Sequence, residues 1–321
     1  MKKCKILVVD NFNEKFYKEL SRYGYITKVK DPSDDLQLSE ENILIVRSKT
    51  EVDKKLIDKM KSLELVVTAT RGVDHVDVEH LREKGIEFHN IIIQVYDVKQ
   101  GVKALVYAHY TNLIEANESM KGGRWEKSKF IGRQIRNLNL GIIGFGHIGD
   151  EVAKDLSKEM KEVFVYEKYW NEGKMKRANE YGVKISSLEE LLSKSDVVTI
   201  HIPLTSETRH MIGKDEINKM KDRAFLINTA RGEVVDEKAL LKALDEGKLS
   251  GAGLDVYEHQ QPFRNEISKE LIRRPNVYTT PHSVAQTFEA IDEKGDAVIN
   301  IIKNHRAQCQ KKIEVKERDD L

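Results

Sequence analysis

Eight short apolar runs constrain this chain most. They lie at residues 6–9, 43–46, 65–68, 140–143, 163–166, 197–200, 224–227 and 253–256, each bounded by polar residues or glycine. Runs of four mostly aliphatic, β-branched residues read as strands buried on both faces. Helix-period stretches lie between them, at 148–161, 187–194 and 237–246. Strand–helix–strand repetition calls for parallel sheets with right-handed crossovers, an α/β fold. The five prolines fall outside all the predicted strands and helices.

The alternation breaks once. Residues 101–121 have helical character and no strand, Gly122-Gly123 ends them, and a second series starts at Leu138. A length of 321 residues suits two domains at about 150 residues each. Lys and Arg number 54 against 53 Asp and Glu, a net charge of +1, which argues against a nucleic-acid partner. Cys4 and Cys309 fit neither a zinc spacing nor a disulfide framework, so no metal is expected. Only four apolar residues follow the basic start before Asp10, too few for a signal peptide. No apolar run approaches the ~18 residues of a membrane span. These features predict a cytoplasmic protein without membrane contact. The charge-rich tail from Lys303 is expected to fray.

Gly144-Phe-Gly146-His147-Ile148-Gly149 carries the pattern G-x-G-x-x-G directly after one predicted strand and at the start of a helix. That context marks a dinucleotide site. Gly144 permits the tight turn, Gly146 lets backbone N–H groups approach a pyrophosphate, and Gly149 lets helix and strand pack closely. His147 contributes only its backbone there. Glu167 ends the next strand 23 residues after Gly144, near the place of the acid that binds a ribose 2′-OH. A carboxylate there favours NAD over NADP, against which stands the adjacent Lys168.

Three later segments each follow or end a predicted strand: Asn228-Thr229-Ala230-Arg231-Gly-Glu-Val-Val-Asp236, Gly253-Leu-Asp255-Val-Tyr-Glu-His-Gln260-Gln-Pro262, and Thr280-Pro-His282-Ser-Val-Ala-Gln-Thr287. Open α/β sheets bind ligands beyond the carboxyl ends of their strands. An Arg, a carboxylate, an amide and a His are therefore delivered to one crevice. With the glycine pattern, these segments closely resemble the D-2-hydroxyacid dehydrogenase family over nearly the whole chain. Thr70-Arg71-Gly72-Val73-Asp-His-Val-Asp77 resembles that family's substrate-carboxylate loop, and His201-Ile-Pro203-Leu-Thr-Ser-Glu-Thr208 its adenine-side loop.

The resemblance implies two Rossmann-like domains with parallel sheets. A flavodoxin-like substrate domain would comprise 1–98 plus 288–321, with an NAD-binding domain, 99–287, inserted into it. It implies a homodimer and a small anionic substrate. Arg231 would bind the carboxylate and carbonyl of a 2-keto acid through its planar fork. Arg71 and backbone N–H groups near Gly72 and Val73 would hold the other side. His282 would exchange a proton with the carbonyl oxygen while hydride moves between C2 and the nicotinamide. Asp255 would accept from the nicotinamide carboxamide. Thr229, Ala230, Pro203 and Thr208 would complete the cofactor site, while His201 and His259 are read as non-catalytic.

The pattern departs from the family at three places. The Glu that pairs with the catalytic His lies 29 residues after the Arg, and here that position is Gln260. Glu258 is expected to point elsewhere. Gln orients an imidazole without adding charge, so reduction should fade as pH rises through neutrality. A Gln–His pair also appears in formate dehydrogenases, and a cation such as Arg71 in phosphite dehydrogenases. These are alternative readings, together with a catalytically weak NAD(H)-binding regulator. Finally, Val98-Lys99-Gln100 stands where the family has Val-Ala-Glu, and Ile91-Ile-Ile-Gln-Val-Tyr96 replaces its Pro-Gly-rich hinge.

Overall fold

A computed structural model describes residues 4–29, 40–70, 72–92, 95–259 and 261–319. The chain divides into two compact units, Met1–Gln94 with Gln286–Leu321, and Val95–Ala285. The first begins β1 (Cys4–Val9), α1 (Glu14–Leu20), β2 (Gly24–Val29), β3 (Ile43–Val46), α2 (Lys54–Lys59), β4 (Leu65–Thr68), α3 (Val78–Glu83) and β5 (Glu87–Asn90). Its sheet is parallel throughout, in the order β2-β1-β3-β4-β5. Side chains alternate between two cores, as strands covered on both faces must. Ile6, Val8, Ile43, Ile45, Leu65 and Val67 enter one core, and Leu7, Val9, Leu44, Val46 and Val66 the other.

The second unit opens with α4 (Val95–Tyr110) and α5 (Leu113–Lys121). A βα series follows: β6 (Asn139–Ile143), α6 (His147–Leu156), β7 (Glu162–Tyr166), α7 (Glu172–Tyr181), β8 (Lys184–Ile185), α8 (Leu188–Lys194), β9 (Val197–Ile200), α9 (Lys214–Lys219), β10 (Ala224–Asn228), α10 (Glu237–Asp245), β11 (Leu249–Leu254), α11 (Glu266–Arg273) and β12 (Val277–Thr279). All seven strands are parallel, in the order β12-β11-β10-β9-β6-β7-β8. The chain reverses its winding at β6, between β9 and β7. That is the switch point at which such sheets open a ligand crevice. The last helix, α12 (Phe288–Asp319), belongs to the first unit.

Among the described residues, the sequence finds every interior strand and none of the four edges. β2, β5, β8 and β12 carry few continuously buried residues, β8 being exposed throughout. A rule that seeks runs buried on both faces passes over such edges. The predicted strand at 253–256 is corrected to Leu249–Leu254, because its first five residues, Leu-Ser-Gly-Ala-Gly, have little apolar signal. The helix predicted at 148–161 stops at Leu156. The predicted helical stretch at 101–121 is two helices, divided at Asn112, whose φ is +53°. The tail expected to fray continues α12 to Asp319, since Lys, Glu, Gln and Arg are good helix formers.

Candidate active site

Side-chain caps start four helices of the second unit. Asn171, Ser187, Asp236 and Asn265 each accept a first-turn N–H, from Lys174, Glu190, Ala239 and Ser268 respectively. No side chain caps α6, which starts from Gly146 and is opened by His147 and Ile148. Gly144 turns the chain off β6 with φ at +97°, a conformation that favours glycine. A Cβ on Gly149 would fall 1.9 Å from Gly144 O, so only glycine lets α6 come this near. The space that a Cβ of Gly146 would take is open to 4 Å. This is a cradle that a pyrophosphate fits at the positive end of a helix.

Glu167 follows β7 directly. Its Oε2 accepts from Phe145 N at 2.7 Å, and its Oε1 from Tyr169 N at 2.9 Å and Lys174 Nζ at 3.0 Å. Burial pushes this carboxyl up, but those donors outweigh burial and hold it below the usual carboxylate range. Glu167 is thus ionised and fastened to the glycine turn. Lys168 is turned to Glu207, with which it forms an exposed ion pair. After β9, Thr208 Oγ1 donates to Pro203 O at 2.7 Å and closes that loop on itself. His201 Nε2 lies 3.0 Å from Thr199 Oγ1, and burial pushes its imidazole down to about 3, so the ring is neutral.

β10, β11 and β12 are adjacent and parallel, so the segments leaving them emerge on one edge. After β10, Asn228 is buried; its Nδ2 donates to Arg231 O at 2.8 Å and its Oδ1 accepts from Ala230 N at 3.1 Å. One amide thereby fixes the turn that presents Arg231. Arg231 Nη1 also donates to Ala230 O at 2.7 Å. The next residue, Gly232, packs backbone to backbone, since a Cβ there would sit 1.8 Å from Tyr257 O. Thr229 is 8% exposed, and its Oγ1 is buried without a hydrogen-bond partner. Such an orphan hydroxyl is costly unless a ligand supplies the bond, so this residue too fits a bound dinucleotide.

After β11, Asp255 is 1% exposed. Its Oδ1 accepts from Thr280 Oγ1 at 2.5 Å, Ser283 N at 2.7 Å and Val284 N at 3.2 Å, and its backbone oxygen accepts from His282 N at 2.9 Å. Burial pushes this carboxyl up, against the lowering effect of Thr280, Ser283, the nearby His282 and Val284. Asp255 thus organises the loop that carries His282, whose φ of +54° is unusual for a non-glycine residue. Glu258 points elsewhere, as expected. Its Oε1 accepts from Glu237 N at 2.9 Å and lies 3.1 Å from His210 Nε2.

In the first unit, the loop after β4 is tied by hydroxyls. Thr70 Oγ1 donates to Gly72 O at 2.8 Å and pairs with Thr68 Oγ1 at 2.7 Å, while Val73 O accepts from Val76 N at 2.9 Å. Arg71 and Gln260 lie outside the described residues. Sequence reasoning did not single out the Asn228 clamp, the Lys174 contact or the Thr280 hydroxyl. Only Asn228 and Thr280 left a signal, as neighbours of Arg231 and His282 in the motifs.

Comparison with known proteins places this geometry. Residues 103–284 match the model "D-isomer specific 2-hydroxyacid dehydrogenase, NAD binding domain", and residues 6–98 match the corresponding catalytic domain. The chain belongs to the D-isomer-specific 2-hydroxyacid dehydrogenase family, whose nucleotide domain binds NAD. A glyoxylate reductase of Thermococcus litoralis is 34% identical over 310 residues, 92% of each chain. A D-3-phosphoglycerate dehydrogenase of Archaeoglobus fulgidus is 35% identical over 89% of this chain, which spans 54% of that relative's length. The D-lactate dehydrogenase of Aquifex aeolicus, solved with NAD and lactic acid, superposes with a TM-score of 0.85 at 29% identity, covering 96% of this chain and 97% of that one. Among the described residues, no helix is long and apolar enough to cross a membrane.

Proposed function

We propose that this protein is an NAD-dependent oxidoreductase that interconverts a small D-2-hydroxy acid and its 2-keto acid. Unit Val95–Ala285 would carry the dinucleotide, and the other unit would supply the substrate-carboxylate loop with Arg71, Gly72 and Val73. One observation carries the reading: Asp255 and Asn228 fasten the His282 and Arg231 segments, which leave β12 and β10 on either side of β11 at one end of the sheet. The same end holds the glycine cradle, and Asp255 would also meet the carboxamide.

Bound NAD supplies a nicotinamide carbon that exchanges hydride with substrate C2. Arg231, always cationic, grips the carboxylate and polarises the carbonyl. His282 gives its proton to the carbonyl oxygen in reduction and takes it from the hydroxyl in oxidation. Glu167 favours an unphosphorylated ribose, and Pro203 and Thr208 shape the adenine side. Relatives named for hydroxy- and keto-acid chemistry do not favour the formate, phosphite or regulator readings.

Steady-state assays with NADH and a panel of 2-keto acids from pH 5.5 to 8 test the proposal. Turnover of no keto or hydroxy acid would remove it. Gln260→Glu adds the charge the family pattern has, and so should carry reduction to higher pH. An unchanged pH profile would refute that role for position 260.

The active form is proposed to be a homodimer. Leu113, Ile114, Met120, Trp125 and Ile131 expose apolar surface along one segment of the second unit. Light scattering should give the mass of two chains, and a monomer that turns over at full rate would reject the dimer.

A further inference from the structure

The helix that would receive the pyrophosphate carries acids at its receiving end. Asp150 lies in the first turn of α6 and Glu151 follows it. Carboxylates there suit the helix dipole but repel an anion arriving at the same N terminus. Each is met by a cation from another helix. Arg177 of α7 places Nε 2.8 Å from Asp150 Oδ2. Lys99 of α4, whose side chain is buried, places Nζ 3.0 Å from Glu151 Oε2 and 3.1 Å from Asp155 Oδ2. The pairing continues down the α4 face. Lys103 Nζ lies 2.7 Å from Glu159 Oε1, and Tyr107 Oη donates to Glu159 Oε2 at 2.6 Å. Residues 99, 103 and 107, spaced by four along one face of α4, thus meet 151 and 155 of α6 and Glu159 in the turn after it.

We propose that Lys99 and Arg177 are counter-charges that make the N terminus of α6 receptive to a pyrophosphate, acting through Glu151 and Asp150 without touching the ligand. The inference rests on the dinucleotide reading above. Lys99 would act as a positioning residue, through Glu151. A buried ammonium is held between two carboxylates, and removing it leaves Glu151 to the exposed Lys154 of its own helix, whose Nζ lies 3.4 Å from Glu151 Oε1.

The test is equilibrium binding of NADH to the full chain, followed by nicotinamide fluorescence, with adenosine as a phosphate-free competitor. Lys99→Met should raise the NADH Kd roughly five-fold, and Arg177→Gln by a similar factor. Both losses should shrink as salt screens the freed carboxylates. Adenosine should bind these variants as it binds the wild type. Adding Glu151→Gln to Lys99→Met should restore NADH affinity, because the offending charge is gone. Should Lys99→Met not fold, Glu151→Gln and Asp150→Asn alone remain decisive, each expected to leave NADH binding as tight or tighter. A double variant as weak as Lys99→Met would overturn the proposal, as would a lowered melting temperature with Kd unchanged. A wild-type chain that binds no NADH would instead overturn the dinucleotide reading, and this inference with it.

Discussion

Arg231→Gln should lower kcat/KM for keto-acid reduction by about 10³-fold, or roughly 4 kcal/mol of transition-state stabilisation. Two demands meet on this side chain. The substrate carboxylate needs a planar, permanent cation, and the carbonyl oxygen gathers charge as hydride arrives. Gln offers one neutral N–H pair to one of these tasks. The turn itself should survive, because Asn228 holds the backbone of Ala230 and Arg231 rather than the guanidinium. NADH affinity should therefore stay within about two-fold, while KM and kcat both deteriorate. Lys at 231 keeps the charge but not the fork, and should recover only part of the loss. Wild-type kinetics in Arg231→Gln, measured with the best acid of the panel, would remove Arg231 from the site.

Legibility of the fold followed burial. Runs such as 43–46, 65–68 and 197–200 coincide with strands because both of their faces lie in a core. Edge strands such as Glu87–Asn90 mix polar residues with apolar ones, and no one-dimensional pattern separates them from a loop. The residues proposed for the site could be named from the sequence because they fall in contiguous motifs at strand ends. What holds them could not. Asp255 bonds to Thr280 and Ser283, which lie 25 and 28 positions away, and Lys99 meets Glu151 across 52. Those pairings depend on sheet order and helix facing, which spacing alone does not reveal. Lys168 illustrates the converse. By adjacency it argued against an NAD preference, yet its partner is Glu207, while Lys174 and two backbone N–H groups hold Glu167 ionised.

His282→Gln should lower kcat by 10²–10⁴-fold in both directions, the range that a positioned acid–base group supplies. The sign of its pH dependence separates catalysis from packing. Reduction consumes a proton at the carbonyl oxygen, so the wild-type rate falls as pH rises through the imidazole's titration. Oxidation needs the neutral ring, so its rate rises over the same interval. Both limbs should vanish in His282→Gln, leaving a low and nearly flat profile. The loop should keep its shape, because His282 donates to Asp255 O through its backbone N–H, and Thr280, Ser283 and Val284 still close on the Asp255 carboxylate. Dinucleotide affinity is then expected to be retained. Asp255→Ala is the contrasting variant: it removes the acceptor on which three donors converge, and so should disturb NADH binding and turnover together. If His282→Gln kept a steep pH dependence at reduced rate, the proton would have to travel through another group, and the assignment of His282 as the acid and base would fail.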